Sequence, residues 1–200
     1  FKFDILNYLK LPVMIKQLIV FCLIATMGYA QEEKQELFMG ILPSKNGQIY
    51  FEKIGVVDSI SKAELYRRAK IAIVEHVKSA KDAIDYDDPI TGQIIAKVNI
   101  TIDVAVMWST YPHTISFKIN FDTKDGKYRY IMKDFTMRTN TPTSARRGSN
   151  MRNEDYPLEI WLDWRPKANL KYAQEIKERI EGIQQVIDKA MNKPVVDDGF

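Results

Sequence analysis

Hydrophobic and polar residues alternate along the middle of this 200-residue chain. From residue 96 to residue 106 every second side chain is apolar, and the same alternation recurs over residues 115–121. A period of two is typical of strands that bury one face and leave the other in water. Asp125-Gly126 then suits a tight hairpin, so the sequence predicts a return strand over residues 127–137.

Two stretches show the three- and four-residue spacing of amphipathic helices. The first follows Ser61-Lys62-Ala63-Glu64, a capping-box sequence in which the serine and glutamate side chains bond each other's backbone amides. It continues to residue 80. The second stretch begins near Pro166 and ends before Pro194, and its apolar stripe is the stronger helical pattern.

Weaker patterns complete the predicted order of elements. Residues 48–57 and 83–86 favour strands, and the polar stretch over residues 139–153 favours an exposed loop. The apolar side chains of residues 156–164 favour packing or an extra edge strand. The order is therefore β-α-β-β-β-β-α. We predict a two-layer α+β domain with an antiparallel sheet and both helices on one face.

The predicted hairpin determines which side chains share a face. A two-residue loop at Asp125-Gly126 places Phe121 opposite Tyr130 and Ile119 opposite Met132. A three-residue loop would reverse the assignment, since a slip of one residue moves every side chain to the other face. With the two-residue loop, the residues predicted to point away from the helices are Arg129, Ile131, Lys133, Phe135 and Met137. Such a partly apolar patch needs cover from the following segment or from a partner.

Residues 14–30 have the three parts of a secretory signal. A basic start, an apolar run of about ten residues and a small-residue exit predict cleavage between Ala30 and Gln31. The apolar run is too short to span a membrane, which needs about 20 apolar residues. Residues 1–13 carry no export pattern, so we interpret them as a non-native or wrongly assigned upstream segment.

Removal of residues 1–30 changes the charge balance. The whole chain has 29 basic and 26 acidic residues; the removed part holds three lysines and one aspartate, which leaves 26 basic and 25 acidic residues, a net charge of +1. This balance argues against a nucleic-acid partner. The only cysteine, Cys22, is also removed, so no disulfide is expected. We assign residues 31–46 to a lead-in, 47–192 to a single domain and 193–200 to a tail.

No set of residues predicts catalysis, a cofactor or a metal site. His76 lies on the first predicted helix and His113 favours a loop, and neither has a nucleophile or further ligands at a recognisable spacing. Asp85, Asp87 and Asp88 lack the glycine and the distal glutamate of a calcium loop. They favour a solvated turn.

Positive and aromatic residues are the other candidates for a binding surface. Arg138, Arg146 and Arg147 lie in and beside the predicted loop, where they suit phosphate, a lipid headgroup or an acidic glycan. A solvated loop is the favoured interpretation of these arginines. Trp161 and Trp164 suit stacking on sugars or ordinary packing.

An ordered set of short segments runs through residues 47–137. It includes Gly47-Gln48-Ile49-Tyr50-Phe51-Glu52-Lys53 and Lys124-Asp125-Gly126-Lys127-Tyr128-Arg129-Tyr130, together with 57–58, 61–69, 78–84, 87–88, 92–97 and 134–135. The set resembles a bacterial family of unknown function with a TBP-like fold, found in exported proteins of the Bacteroidetes. The resemblance implies that fold and an exported location, and it implies no activity and no site residues. Asp58-Ser59-Ile60 also resembles the acceptor of general O-glycosylation in Bacteroidetes, which makes Ser59 a glycosylation candidate.

These observations predict a non-catalytic protein of the cell envelope. Its partner is expected to be another envelope protein, a glycan or a lipid, and the mature chain is expected to have no transmembrane span. The alternative is an extracytoplasmic hydrolase that uses carboxylates such as Asp85, Asp87 or Asp103. A concave cleft with two convergent carboxylates would favour the hydrolase, whereas a flat or loop-covered face would favour binding.

Overall fold

The computed structural model describes residues 40–76, 84–106, 108–142 and 151–194. These residues form eight strands and three helices. The strands are β1 (Ser44–Lys45), β2 (Gln48–Ile49), β3 (Phe51–Val56), β4 (Ile84–Asp88), β5 (Gln93–Val106), β6 (Ser109–Lys124), β7 (Lys127–Pro142) and β8 (Met151–Pro157). The helices are α1 (Lys62–His76), α2 (Leu158–Asp163) and α3 (Pro166–Met191). The predicted signal segment lies outside the described residues.

A six-stranded antiparallel sheet forms the centre of the domain. Its strands pair in the order β3-β7-β6-β5-β4, and β8 also pairs with β7. β3 pairs with residues 127–132 of β7, and β8 pairs with residues 136–142. The two strands therefore occupy consecutive stretches of one edge of β7, whose other edge pairs with β6. The predicted antiparallel α+β architecture is confirmed.

The core lies between the sheet and the helices α1 and α3, which cover one of its faces. The apolar side chains at even positions of β5 lie on this face, as the alternation predicted. Leu65 and Ala69 of α1 and Ile176 and Ile180 of α3 are buried in the same core. Burial of a large apolar side chain is worth roughly 1.5–3 kcal/mol, so this packing holds the helices on the sheet.

The hairpin of β6 and β7 follows the predicted register only near its turn. Phe121 faces Tyr130, as expected for a two-residue loop, and Gly126 in that loop has a φ of 72°. Further along β7 the register shifts. Asp134 lies at the shift with a φ of 59°, and it is the extra residue of a β-bulge.

The bulge makes the prediction for Phe135 and Met137 wrong. One extra residue moves every later side chain of β7 to the opposite face of the sheet, so Phe135 and Met137 both face the helices. Phe135 is 2% exposed and stacks on Phe117 with 4.9 Å between the ring centroids, and Met137 is fully buried. Ile131, which precedes the bulge, lies on the opposite face as predicted.

Substitution of Asp134 tests the bulge. Asp134→Val is expected to lower the free energy of unfolding by about 2 kcal/mol, because a β-branched residue is strained at positive φ. Asp134→Gly is expected to change it by less than about 0.5 kcal/mol, since relief of strain offsets the added chain entropy. Urea denaturation measures both variants, with Thr136→Val on the same strand as the control. Equal stability of the two Asp134 variants would contradict the bulge.

β7 and β8 show that the loop predicted over residues 139–153 is wrong for residues 139–142 and 151–153, while residues 143–150 lie outside the described residues. β7 continues to Pro142, β8 begins at Met151, and the two strands pair with each other. Polar residues form strands here because the edge of β7 offers backbone partners, which side-chain polarity does not report. The apolar stretch that follows forms the helix α2.

The start of α1 is capped from two places. The Ser61 hydroxyl accepts a hydrogen bond from the Glu64 amide at 3.3 Å, which is one half of the predicted capping box. The Glu64 carboxylate binds arginines of the next helical turn instead of the Ser61 amide. The Asp125 carboxylate accepts a bond from the Lys62 amide at 2.7 Å, so the hairpin turn also caps the helix.

Candidate binding surface

The face of the sheet opposite the helices is open. None of the described residues of β5, β6 and β7 that point to this face is buried. Polar and charged side chains alternate here with the buried apolar side chains of the other face. We call this surface the open face; its central residues are Lys97, Asn99, Ser116, Lys118, Asn120, Ile131, Lys133 and Thr136.

Three lysines form one row across the middle of the open face. Lys97 of β5 pairs directly with Lys118 of β6, and Lys118 pairs directly with Lys133 of β7. Directly opposed residues have Cβ atoms about 4.5–5.5 Å apart. Within the described part of the chain, no carboxylate lies within 4.0 Å of their amino groups. Together with the larger effect of Arg138, the positive charge of Lys97 lowers the pKa of Asp155, although the two side chains are more than 4.0 Å apart. We call these residues the lysine row.

The arginines of the open face are, in contrast, ion-paired. Arg129 binds Asp122 at 2.6 Å and lies 3.8 Å from Glu52. Arg138 binds both carboxylate oxygens of Asp155, at 2.8 and 2.9 Å. Hydrogen bonds from Arg138 hold the pKa of Asp155 below its usual range. Both of these predicted binding residues are therefore already occupied by carboxylates.

The two sides of the lysine row differ in polarity. The Ser116 hydroxyl donates to Asn99 Oδ1 at 2.6 Å, and Thr136 is paired with Ser116 across the next strand. On the other side Asn120 lies between Ile95 and Ile131, and its Oδ1 is buried without a hydrogen-bond partner among the described residues. The lysine row is thus a narrow band of positive charge with amide and hydroxyl groups on one side and a mostly apolar row on the other.

The two predicted tryptophans do not join the lysine row. Trp161 is buried in the core against Tyr172, with 5.8 Å between the ring centroids. Trp164 is 51% exposed and packs edge-on against Tyr156 at 4.5 Å. Packing therefore accounts for Trp161, whereas Trp164 keeps half of its surface in water.

The remaining predicted site residues are placed in part. Arg146, Arg147 and the cleavage site between Ala30 and Gln31 lie outside the described residues. Ser59 is exposed in the turn before α1, with a φ of 66°. An exposed turn is accessible to modification, and O-glycosylation of Ser59 stays a prediction.

Lys97, Lys118 and Trp108 were missed from the sequence. Both lysines lie on the polar sides of the alternating strands, so their face was readable. Their alignment across the sheet depends on the register of β5 and β6, in which Val106 pairs with Ser109. The turn between these two residues contains no glycine, proline, asparagine or aspartate, so the sequence does not indicate where the hairpin turns. Trp108 is 98% exposed in this turn.

The acidic residues predicted as a solvated turn form most of β4. Asp87 points to the helix side and accepts hydrogen bonds from Tyr66 and Lys70. Lys70 and Tyr66 hold the pKa of Asp87 below its usual range, and burial with this contact raises the pKa of Tyr66 to about 12. Asp88 caps the turn that follows, where it accepts from the Ile90 amide at 2.8 Å. Only Asp88 therefore matches the predicted turn.

The histidines show no catalytic arrangement among the described residues. His113 lies in β6 rather than in a loop and is buried beside Trp161. Burial lowers the pKa of its imidazole, and its Nδ1 lies 3.0 Å from the carbonyl oxygen of Tyr111. The side chain of His76 lies outside the described residues. In the described part of the chain, no group of three or more His, Cys, Asp or Glu side chains could hold a metal ion.

A shallow groove of about 640 Å³ lies beside the first turns of α3. Its described lining includes Ile41, Leu170, Lys167 and Lys171, and no acidic side chain is among the described lining residues. These residues therefore offer no pair of carboxylates for hydrolysis.

Comparison with known proteins identifies the domain. Residues 50–138 match the family described as a domain of unknown function (DUF4468) with TBP-like fold. Residues 50–138 carry a DUF4468 domain. The match runs from β3 into β7 and includes the whole lysine row. It confirms the resemblance inferred from residues 47–137.

Two solved structures share the fold. A DUF4468 family protein from Bacteroides ovatus is 18% identical with a TM-score of 0.57, over 78% of this chain and 92% of that chain. A TBP-like protein from Parabacteroides distasonis is 13% identical with a TM-score of 0.59, over 76% of this chain and 97% of that chain. No curated protein matches the sequence. Among the described residues, no helix is long and apolar enough to cross a membrane.

Proposed function

We propose that the protein is an exported, non-catalytic binding module that contacts its partner through the open face. The observation that carries this proposal is the sheet surface opposite the helices, which no described segment covers. Its lysine row has no carboxylate within ion-pair distance among the described residues. A charged surface of this kind is suited to recognition of an oppositely charged partner.

Export is supported by the sequence. Residues 14–30 have the composition of a secretory signal, and cleavage before Gln31 would leave the domain intact. The resemblance to a family of exported proteins points the same way. The expected partners of a mature envelope protein are another envelope protein, a glycan or a lipid.

The arrangement of carboxylates supports binding rather than hydrolysis. A general acid or base has to lie within hydrogen-bond reach of the substrate. Asp87 is held on the helix side by Lys70, whereas Asp103 lies on the open face. These two carboxylates therefore point to opposite sides of the sheet.

Site-specific cross-linking in cells tests the proposal. A photo-reactive amino acid at Thr136, on the open face, is expected to form covalent adducts several-fold more often than one at Arg179, on the exposed side of α3. The adducts are expected outside the cytoplasm, on a chain that begins at Gln31. Equal yields from both positions would reject the open face as the binding surface. A cytoplasmic chain that retains residues 14–30 would reject export.

A further inference from the structure

We propose that the lysine row is a binding site for a phosphorylated saccharide. The inference rests on the proposed function, because it names the ligand class that the open face binds. Lys97, Lys118 and Lys133 would contact the phosphate groups, and the polar residues on one side of the row would contact sugar hydroxyls.

The lysine row is a costly arrangement for the free protein. Lys118 has a like charge directly opposite it on both sides, and such pairs destabilise a sheet. Apart from Lys124 and Lys127, which face each other at the hairpin turn, the other opposed charged positions on this face carry opposite charges: Arg129 faces Asp122, and Arg138 faces Asp155. An anion bound above the row would reduce the repulsion between the lysines. Neutral side chains at these positions would not repel one another at all.

The ammonium groups suit phosphate better than carboxylate. Arginine matches a carboxylate through its planar fork, as the two bonds between Arg138 and Asp155 show. Lysine presents a compact charge with three donors on a flexible stem, which meets phosphate oxygens from several directions. The arginines of this face are already paired, so the lysines are left to hold the ligand.

The extent of the charge indicates a compact ligand. Neighbouring strands lie about 4.8 Å apart, so three lysines on three adjacent strands span about 10 Å. This length fits one or two phosphate groups. A nucleic-acid backbone or an anionic bilayer would need positive charge over many rows.

The residues beside the row suit sugar hydroxyls. Asn99, Ser116 and Thr136 lie next to one another on one side of the row. Amide and hydroxyl side chains both donate and accept hydrogen bonds, as sugar hydroxyls do. A ligand with phosphate over the lysines and a sugar ring over these groups would satisfy both parts of the surface.

Calorimetric titration of the purified full chain tests the proposal with fructose 1,6-bisphosphate, inorganic phosphate and fructose. The bisphosphate is expected to bind at least about tenfold more tightly than phosphate, because each additional charged hydrogen bond adds that much. Fructose alone is expected not to bind. Added salt is expected to weaken binding of the bisphosphate.

Lys118→Glu separates a binding site from a solvated row of lysines. The variant is expected to lose binding by more than about tenfold and to melt about 2 °C higher, since two repulsive cross-strand pairs become attractive. Lys127→Glu is the matched control: it makes the same change in net charge at an exposed position of β7 outside the row, and it is expected to keep the affinity.

Three results would overturn the proposal. The first is no binding of the bisphosphate by the folded protein, and the second is an equal loss in Lys118→Glu and Lys127→Glu. The third is binding of phosphatidylglycerol vesicles or of a single-stranded oligonucleotide without binding of the bisphosphate. If cross-links still form from Thr136 in these cases, the ligand class is wrong while the open face remains the binding surface.

Discussion

Replacement of Arg68 by alanine is expected to lower the free energy of unfolding by about 3 kcal/mol. Arg68 is 5% exposed at the contact of α1 with the end of α3. Its guanidinium donates to Glu64 at 2.7 Å and to the carbonyl oxygens of Met191 at 2.9 Å and Lys193 at 2.6 Å. One side chain therefore ties the C-terminal end of α3 to α1.

The size of the effect follows from the groups that lose their partner when the Arg68 side chain is removed. The carbonyl oxygens of Met191 and Lys193 lose a donor, and a buried acceptor without a partner costs about 1–3 kcal/mol. The positive charge at the negative end of the dipole of α3 is also lost. Arg67 and Arg68 together hold the pKa of Glu64 at about 2, so Arg68→Ala removes one of its two counter-charges.

Arg67→Ala is the matched control for Arg68→Ala. Arg67 binds the same Glu64 carboxylate, but its side chain is 62% exposed. Its loss is expected to cost less than about 1 kcal/mol, as for other exposed ion pairs. Urea denaturation measures both variants, and amide hydrogen exchange over residues 187–191 should accelerate in Arg68→Ala alone. Similar losses in both variants would show that Arg68 does not hold the end of α3.

Replacement of Gly55 by alanine is expected to lower the free energy of unfolding by about 2 kcal/mol. A β-carbon at this position would lie 2.2 Å from Cζ of Tyr128, whose ring crosses the glycine. Tyr128 is buried, stacks on Tyr130 with 6.3 Å between the centroids and donates its hydroxyl proton to Asp188 at 3.2 Å. The added methyl group forces this ring out of its contacts with α3.

The Gly55 prediction has a structural control and a thermodynamic one. Gly182 lies in α3 with nothing within 4 Å of an added β-carbon, so Gly182→Ala is expected to stabilise by about 0.5–1 kcal/mol. In a Tyr128→Ala background, Gly55→Ala is expected to cost almost nothing. Thermal melting measures all variants, with a fall of about 4–8 °C for Gly55→Ala alone. The same fall in both backgrounds would rule out the clash with Tyr128.

Burial and Asp188 raise the pKa of Tyr128 to about 12, which gives the Gly55 prediction a spectroscopic readout. A tyrosine that leaves this position is expected to have a pKa near 10.0, the ordinary value for this side chain. Ultraviolet titration of Gly55→Ala should therefore show one tyrosine with a lowered pKa relative to the parent protein. An unchanged titration would mean that the ring keeps its place.

The parts of the fold that depend on neighbouring residues were predictable from the sequence. The register of β6 and β7 near Asp125-Gly126 follows from the length of one turn, and the faces of β5 and β6 follow from alternation. The bulge at Asp134 was not predictable from the pattern, because its residue type is not glycine. β8 was missed because its partner is an edge of β7 that exists only after the sheet has formed.

The candidate site was predictable to the same extent. Lys133 lies between the turn and the bulge, so the hairpin register placed it on the correct face. Phe135 lies beyond the bulge and was placed on the wrong face. The lysine row needs the registers of two hairpins at once, and the hairpin before Ser109 has no turn signal in its sequence. Single-strand alternation therefore identified the face but not the row.

β3 pairs with a strand that is synthesised much later. Its partners on β7 lie 71 to 81 residues further along the chain, whereas β5, β6 and β7 each pair with the next strand. At about 5–20 residues per second, β3 leaves the ribosome about 4–16 s before its partner. During this time the strand that pairs with β3 has not been made. The first strand of the sheet to be made is thus paired only after most of the domain exists.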